Sequence, residues 1–394
     1  MRVLVVNAGS SSLKHALVDT DGETILRRGE ERWEPSASPG RHEQALRAAL
    51  ADAGSQAGAV GHRVVHGGPR LFNPVLVDDT TRGAITALAP LAPLHTRAAL
   101  EGIDAAAAAW PDLPQVACFD TAFHRTLAPE AATYALPRAW TERLELRRYG
   151  FHGLNVRWCH EQAARILGAD LCRRLVVCHL GSGCSVSAVL DGRSVDTTMG
   201  FTPLDGVPMA TRSGSLDPGL LLRLLSSGIE LDELADALNH RSGLLGIAGI
   251  AGVREVVVAA AEGNERAQLA FDVLVRGVSG AVAAMTTSMR GLDALVFSAG
   301  AGEHCAQLRA EVCERLGQLG VALDRSRNGR HAEQIAAVGA AVAVLIVPAG
   351  EEIVIARDTA GILGAAARGW PHRVSALADA RAGHAKGLDR PQRR

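Results

Sequence analysis

Aromatic side chains make up only 4% of this chain, and lysine is nearly absent: of 41 basic residues only Lys14 and Lys386 are lysine, and 39 are arginine. Acidic residues number 42, so no polycationic face and no set of stacking platforms is available for nucleic acid. No apolar run approaches the roughly 20 residues that a membrane helix needs. The longest covers residues 339–347, and the N-terminus enters a strand-like stretch with no charged leader region. The expectation is therefore a cytoplasmic chain with neither a membrane nor a nucleic-acid partner. Cysteine is present but never as CxxC. The seven (118, 159, 172, 178, 184, 305, 313) form an odd set, which excludes a disulfide framework and a structural zinc and suits a reducing compartment.

What is present is ample: 394 residues, 47% hydrophobic, with 42 glycines, the composition of a globular protein rich in tight turns. At ~150 residues per domain, two or three domains are expected. Residues 3–6 are a short apolar run, followed by Asn7-Ala-Gly-Ser-Ser-Ser, a second run at 13–18 and a turn at Asp19-Thr20-Asp21-Gly22. This reads as strand, polar loop, strand, turn. From Leu175 the pattern returns. A constant offset of 172 places Gly9 on Gly181, Ser10 on Ser182, Ala16 on Ala188 and Asp19 on Asp191, which we read as an internal duplication. Elsewhere the periodicity predicts helices at 42–53, 96–109, 231–238, 265–289 and 305–319, and strands at 60–65, 116–119, 294–298 and 342–346. The expected fold is α/β, with two lobes and a cleft between them. The expected division is 1–119 as an N-terminal lobe, 120–351 as a C-terminal lobe, 352–367 as a return helix and 368–394 as a basic, loosely ordered tail with seven basic and two acidic residues.

Three glycine loops invite chemistry. In Asn7-Ala-Gly-Ser-Ser-Ser-Leu-Lys14, small residues let backbone amides approach an anion, hydroxyls donate, and Lys14 adds a point charge. A serine-rich hairpin turn is the alternative, weakened by the retention of lysine in an arginine-biased chain and by the matching Gly181-Ser182-Gly183 loop. The third, Ser298-Ala-Gly-Ala-Gly-Glu-His304, follows an apolar strand and precedes a helix, but lacks the GxGxxG spacing of a dinucleotide fold. Asp120 follows the strand at 116–119, and Glu351 follows the strand that ends near Pro348. Carboxylates there can hold Mg²⁺ beside a phosphate, or simply cap a helix. Arg63 and Arg212 adjoin glycine-bearing turns, where a guanidinium can meet charge on a phosphoryl group or form a surface salt bridge. His62, His66, His95, His152 and His179 are not spaced as a zinc set.

Taken together, these segments resemble the acetate kinase family. The resemblance is carried by Asn7-Ala-Gly-Ser-Ser-Ser-Leu-Lys14, Gly61-His-Arg-Val-Val-His-Gly-Gly68, Ala92-Pro-Leu-His95, Phe119-Asp-Thr-Ala-Phe-His124, Arg148-Tyr-Gly-Phe-His-Gly153, Thr198-Met-Gly-Phe-Thr-Pro-Leu-Asp205, Thr211-Arg-Ser-Gly214 and Glu351-Glu-Ile-Val-Ile-Ala-Arg-Asp-Thr359, in order over residues 1 to about 363. It implies duplicated lobes of the acetate and sugar kinase, Hsp70 and actin type, a homodimer, and reversible transfer between ATP and a short carboxylate to give ADP and an acyl phosphate. Mg²⁺, or Mn²⁺ in its place, would be the cofactor. The resemblance further implies Asn7, Asp120 and Glu351 at the metal, Arg63 and Arg212 on the carboxylate and phosphoryl, and His152 as transition-state donor with His95 and His179 in support. An acyl pocket would be formed by Val65, Leu94, Phe151 and Pro203. The nucleotide and its phosphates would lie along Ser10, Ser12, Lys14, His179, Gly181, Ser182, Gly183, Gly300, Ala301 and Gly302.

The chain departs from the family pattern at Leu154-Asn155-Val156 (usually Thr-Ser-His), Ser182 (usually Asn), Ala210 (usually Gly), His304 and Gly350 (commonly Asn), and at Gly252-Val253-Arg254, where one residue is missing. Several of these lie on the side expected to face the nucleotide. Propionate or butyrate as acceptor, a sugar kinase, or an actin- or chaperone-like ATP-driven binding protein are the alternatives. The paired arginines favour a carboxylate acceptor, because a carboxylate needs charge cancelled and no general base.

Overall fold

The computed structural model describes residues 1–9, 12–32, 44 and 56–368, so Ser10, the helix expected at 42–53 (Gln44 apart) and the tail beyond Arg368 lie outside the described residues. The chain falls into two units. Unit 1 comprises residues 1–64, 73–119 and 355 onward, and unit 2 comprises 65–72 and 120–354.

Unit 1 is built on a six-stranded sheet. Its strands are β1 (Arg2–Ala8), β2 (Ser12–Asp19), β3 (Thr24–Arg32), β4 (Ala59–Val64), β5 (Val75–Leu76) and β6 (Gln115–Phe119), in the order β3-β2-β1-β4-β6-β5. β1 runs antiparallel to β2 and parallel to β4, and β4 runs parallel to β6. Leu4, Val6, Leu13, Leu17 and Val60 pack with Ala105 and Ala106 of the helix Pro93–Ala109. Helix Glu351–Ala367 brings the chain back into unit 1, where Ile355 and Thr359 close over Gly61 so tightly that a Cβ there would sit 2.6 Å from the Thr359 hydroxyl.

Unit 2 holds the second sheet: β7 (Arg174–Leu180), β8 (Cys184–Leu190), β9 (Arg193–Thr197), β10 (Ala294–Ser298) and β11 (Ala343–Ile346), in the order β11-β10-β7-β8-β9. Read from its other edge this is the first sheet again, with β7 antiparallel to β8 and parallel to β10, and β10 parallel to β11. The register refines the expected offset. Asn7 pairs with Lys14, whereas His179 pairs with Ser185, so the second hairpin loop is one residue shorter and the returning strand is offset by 171. Ala16 therefore matches Ser187, not Ala188. At this corrected offset the bulge between Leu17 and Val18 falls on the bulge between Ala188 and Val189, an irregularity shared by both modules.

Helix Glu265–Met289 is the spine of the unit 2 core, burying Phe271, Leu274, Val275, Val278 and Val282 against Val176, Cys178, Val186 and Phe297. By length and composition this helix and the stretch Gly243–Ala261 could each cross a membrane. The first turns one face to the core, with 44% of its apolar window buried, and the second is broken into Gly243–Ala248 and Val253–Ala261 by Gly249 at φ +72°. The helix expected at 305–319 is shorter: Ala306–Glu314, then a single 3₁₀ turn at Gly317–Leu319, with the left-handed Gly320 (φ +84°) ending it. Six of the seven cysteines are buried and all are free thiols.

Candidate active site

The register of unit 1 sets a polar row across the carboxyl end of its sheet. Residues paired directly across strands share a face. Glu30 pairs with Lys14, Lys14 with Asn7, and Arg63 follows the His62 that pairs with Val6. Arg63 Nη1 donates to Asn7 Oδ1 at 3.2 Å. Lys14 is exposed beside Glu30, while Asn7 and Arg63 are half-buried. The next residue back on β4 faces the other way, and so His62 is a core residue. Its ring is buried against Gln115, and burial pulls its pKa down to about 4. Ser12 closes the loop as its carbonyl accepts from Gly9 N at 2.7 Å.

The equivalent row in unit 2 is Ser185, His179 and Ser298, again one residue on each of three neighbouring strands. Two side chains from helix Gly153–Leu167 complete it. His152, the N-cap residue, is held at φ +59°, a left-handed conformation that costs a non-glycine residue on the order of 1–2 kcal/mol. Its ring stacks on His179 with centroids 3.9 Å apart and planes 15° off parallel, and its Nδ1 is 3.0 Å from Ser185 Oγ. The following residue must be glycine: Gly153 N donates to Asp120 O at 2.9 Å, and a Cβ at Gly153 would collide with that carbonyl. Asn155, fully buried, donates from Nδ2 to His179 Nδ1 (2.9 Å) and Ser298 Oγ (3.0 Å), and accepts from Gly350 N (3.2 Å) at Oδ1.

Above these rings sits the β7–β8 turn. Gly181 N donates to Gly183 O at 3.0 Å, and Ser182 is exposed at the tip, where its carbonyl accepts from Ala210 N. A Cβ at Gly183 would lie 3.4 Å from Arg212 Nη1 and 3.5 Å from His152 Nε2; one at Gly181 would lie 3.7 Å from His179 Nε2. Arg212, His152 and His179 thus converge on one glycine turn. Arg212 Nη1 also donates to Pro203 O at 3.3 Å.

The third glycine loop differs from expectation. Residues Ala299–His304 are already helical: β10 ends at Ser298, and Ala299 turns the chain at φ +64°. Gly300 faces open space, whereas Gly302 is packed near the end of β7. Arg309, completely buried, holds this helix from behind. Its five N–H groups reach Gly302 O and Glu303 O (both 2.8 Å), Asn328 Oδ1 (2.8 Å), Asn328 O (3.0 Å) and His331 Nδ1 (3.0 Å).

Asp120 is buried at the end of β6, and Glu351 opens the helix Glu351–Ala367. Glu351 Oε2 is buried without a hydrogen-bond partner. An orphaned carboxylate oxygen is costly, and a hard cation would satisfy it. Among the described residues no three His, Cys, Asp or Glu side chains form a metal cluster. A single buried carboxylate oxygen of this kind suits a hard cation that keeps most of its waters. Of the residues expected at an acyl pocket, Phe151 is buried in the unit 2 core, where His66 packs edge-on to it and to Tyr149. Val65 is packed on that core, and Leu94 stands in the first turn of helix Pro93–Ala109. His95 is half-buried in the same turn. Sequence reasoning missed Ser185, Ser298 and Arg309, and it registered Asn155 only as a departure. Ser185 and Ser298 carried one signal, their place at strand ends, whereas Asn155 and Arg309 lie inside helices and carried none.

A family model described as the acetokinase family matches residues 42–357. An acetate kinase of Leifsonia xyli subsp. xyli is 44% identical over 90% of this chain and 97% of its own length. Among solved structures, a propionate kinase from Francisella tularensis subsp. tularensis superposes with a TM-score of 0.86 at 36% identity, covering 92% of this chain and 99% of that one. The acetate kinase of Porphyromonas gingivalis does so with a TM-score of 0.83 at 33% identity and the same coverage. With the duplicated α/β units and the converging arginine and histidines already described, these likenesses establish that the chain is a carboxylate kinase and belongs to the acetokinase family.

Proposed function

We propose that the chain is an acetate kinase, transferring the γ-phosphoryl of ATP reversibly to acetate to give acetyl phosphate and ADP. The observation that carries this reading is the convergence of Arg212, His152 and His179 on the Gly181-Ser182-Gly183 turn, with no carboxylate base among them. An ionised carboxylate needs no base; what opposes the reaction is repulsion between two anions, and positioned cations and neutral donors remove it.

In this reading Arg63 and Arg212 neutralise the carboxylate and the transferring phosphoryl, and His152 donates from Nε2 to the phosphoryl oxygens. Backbone amides of Gly181–Gly183 and Gly300–Gly302 line the nucleotide phosphates, with Ser12 and Lys14 beside the Asn7 loop. Asn7, Asp120 and Glu351 would hold Mg²⁺, which when bound offsets phosphate charge; the orphaned Glu351 Oε2 supports that assignment. Val65, Leu94, Phe151 and Pro203 would bound the methyl group. A homodimer fits the helix Pro218–Ser226, which buries none of its residues although it carries Leu220, Leu222 and Leu225 on its exposed surface. The cytoplasm supplies ATP and keeps seven thiols reduced.

Hydroxylamine trapping of acyl phosphate with ATP, Mg²⁺ and a panel of carboxylates tests the reading. Acetate should be phosphorylated, and propionate less efficiently; phosphorylation of a hexose with no carboxylate product would overturn it. One methylene is worth only ~1–3 kcal/mol in an apolar pocket, so propionate should retain measurable turnover.

A further inference from the structure

Asn155 occupies a position no sequence motif assigns, yet it joins three segments of unit 2. Its Oδ1 accepts from the Gly350 backbone N–H at 3.2 Å, a group that can only donate, and this fixes which end of the carboxamide faces which way. Nδ2 must then face His179 Nδ1 at 2.9 Å and Ser298 Oγ at 3.0 Å. An amide NH₂ cannot accept. His179 Nδ1 is therefore the acceptor, and the ring's proton sits on Nε2, the atom nearest Gly181. The stacked partner ring is oriented in parallel, with Ser185 at His152 Nδ1 and with His152 Nε2 beside Gly183.

We infer that Asn155 is a positioning residue that fixes His179 as the neutral Nε2–H tautomer, so that His179 presents a donor, not a lone pair, to the nucleotide phosphates at the Gly181-Ser182-Gly183 turn. The inference rests on the phosphoryl-transfer reading for the identity of the anion and on this structure's own hydrogen bonds for the tautomer. A lone pair at that position would repel a phosphate oxygen. Asn155 is fully buried and bonded at both ends, so the ring has no cheap way to exchange its tautomer.

Asn155→Asp isolates the effect, since it keeps the size and the acceptor for Gly350 N but can no longer donate to His179. In the full chain labelled with ¹⁵N-histidine, two-bond ¹H–¹⁵N correlation should show His179, identified by its loss in His179→Ala, protonated at Nε2 and bare at Nδ1. In N155D the proton should appear at Nδ1. With ATP and acetate, N155D should lose tenfold or more in kcat/KM for ATP while the acetate KM stays within twofold. A protonated Nδ1 in the parent chain overturns the inference, as does a changed tautomer with unchanged ATP kinetics. If N155D does not fold, Asn155→Ser serves: it removes the bridge and should give a mixture of tautomers, and a single unchanged tautomer overturns the inference. The expected tautomer in a chain that phosphorylates no carboxylate would leave the tautomer assignment standing and refute the phosphoryl-transfer reading instead.

Discussion

Replacing Arg309 by methionine should cost the protein much of its stability and should loosen the helix that carries Gly300–Gly302. The guanidinium is fully buried, has no carboxylate partner among its hydrogen bonds, and satisfies all five N–H groups on neighbouring acceptors. Methionine fills most of the volume but leaves Gly302 O and Asn328 Oδ1 without this donor, whereas Asn328 O keeps the His331 N–H at 3.1 Å and Glu303 O has His331 Nδ1 at 3.0 Å. Each buried acceptor so orphaned costs ~1–3 kcal/mol, and part of that is returned because a charge no longer has to be desolvated. With two acceptors orphaned, a net loss of ~2–4 kcal/mol follows, roughly 5–10 °C in Tm for a unit of this size. The assay is thermal unfolding followed by circular dichroism, paired with the KM for ATP, which should rise because Gly302 and Glu303 belong to the helix that Arg309 holds. Lysine should not rescue either property, because one ammonium cannot reach acceptors arranged around a planar fork. A Tm within about 2 °C of the parent chain would refute the reasoning, since it would mean that the guanidinium's desolvation cost equals everything its five bonds return.

Arg63→Ala and Arg212→Ala should each lower turnover by on the order of 10³ or more while far-UV circular dichroism is retained, and Arg→Lys should restore little; near-normal turnover in either alanine variant would assign that arginine to structure. Stability should fall as pH drops from 6.5 toward 4, because burial lowers His62, His66 and His124 to about 4 in the folded chain from an ordinary 6.5. Between those values the unfolded chain binds protons that the folded chain refuses, a loss of ~1.4 kcal/mol per pH unit for each fully refused proton. Urea unfolding at pH 7 and pH 5 measures it, and an unchanged midpoint would contradict it.

Strand positions were legible in the chain because β-branched runs ending in glycine loops leave few alternatives, and the duplication was legible because the two modules repeat small residues at loops. Its exact offset was not. Loop length is a one-residue matter, and only the pairing of Lys14 with Asn7 and of Ser185 with His179 fixes it. Arg63, Arg212 and His152 could be singled out because each stands in or beside a glycine-bearing turn, and Asp120 because it directly follows the strand at 116–119. Asn155 and Arg309 could not be assigned roles, because what makes them matter is distance along the chain: Asn155 bonds partners 143 and 195 residues away. Gly302 was read as loop and is helix, since the sharp turn that admits the helix sits at Ala299, a residue type with no preference for φ +64°.

Three of the departures from the family pattern, Asn155, Gly350 and His304, are connected through a short chain of contacts. Asn155 Oδ1 accepts from Gly350 N; a Cβ at Gly350 would strike the ring of Trp158, three residues along the same helix, whose Nε1 donates to Pro348 O at 2.9 Å. Ala349 N donates to Glu303 Oε1 at 2.9 Å, and Glu303 precedes His304, whose ring lies edge-on to that of His331 at 6.3 Å. An asparagine at 350 is therefore excluded while Trp158 stays in place, and the polar contacts it would offer a base are absent. What remains near His304 is a cavity of about 500 Å³ lined by Arg254, Val257, Val258, His304, Cys305, Gln307 and His331. If the purine of the donor binds there, it meets Val257 and Val258 and the polar groups of Arg254, His304, Gln307 and His331, all of which are exposed and stay hydrated when a base leaves them unpaired. Discrimination requires site groups that the wrong base leaves unpaired, and such groups are few. GTP should then reach within about tenfold of ATP in kcat/KM, a gap of only ~1.4 kcal/mol. Steady-state kinetics with ATP, GTP and ITP at fixed acetate decides it, and a preference for ATP above a hundredfold would show that other residues restore the adenine contacts.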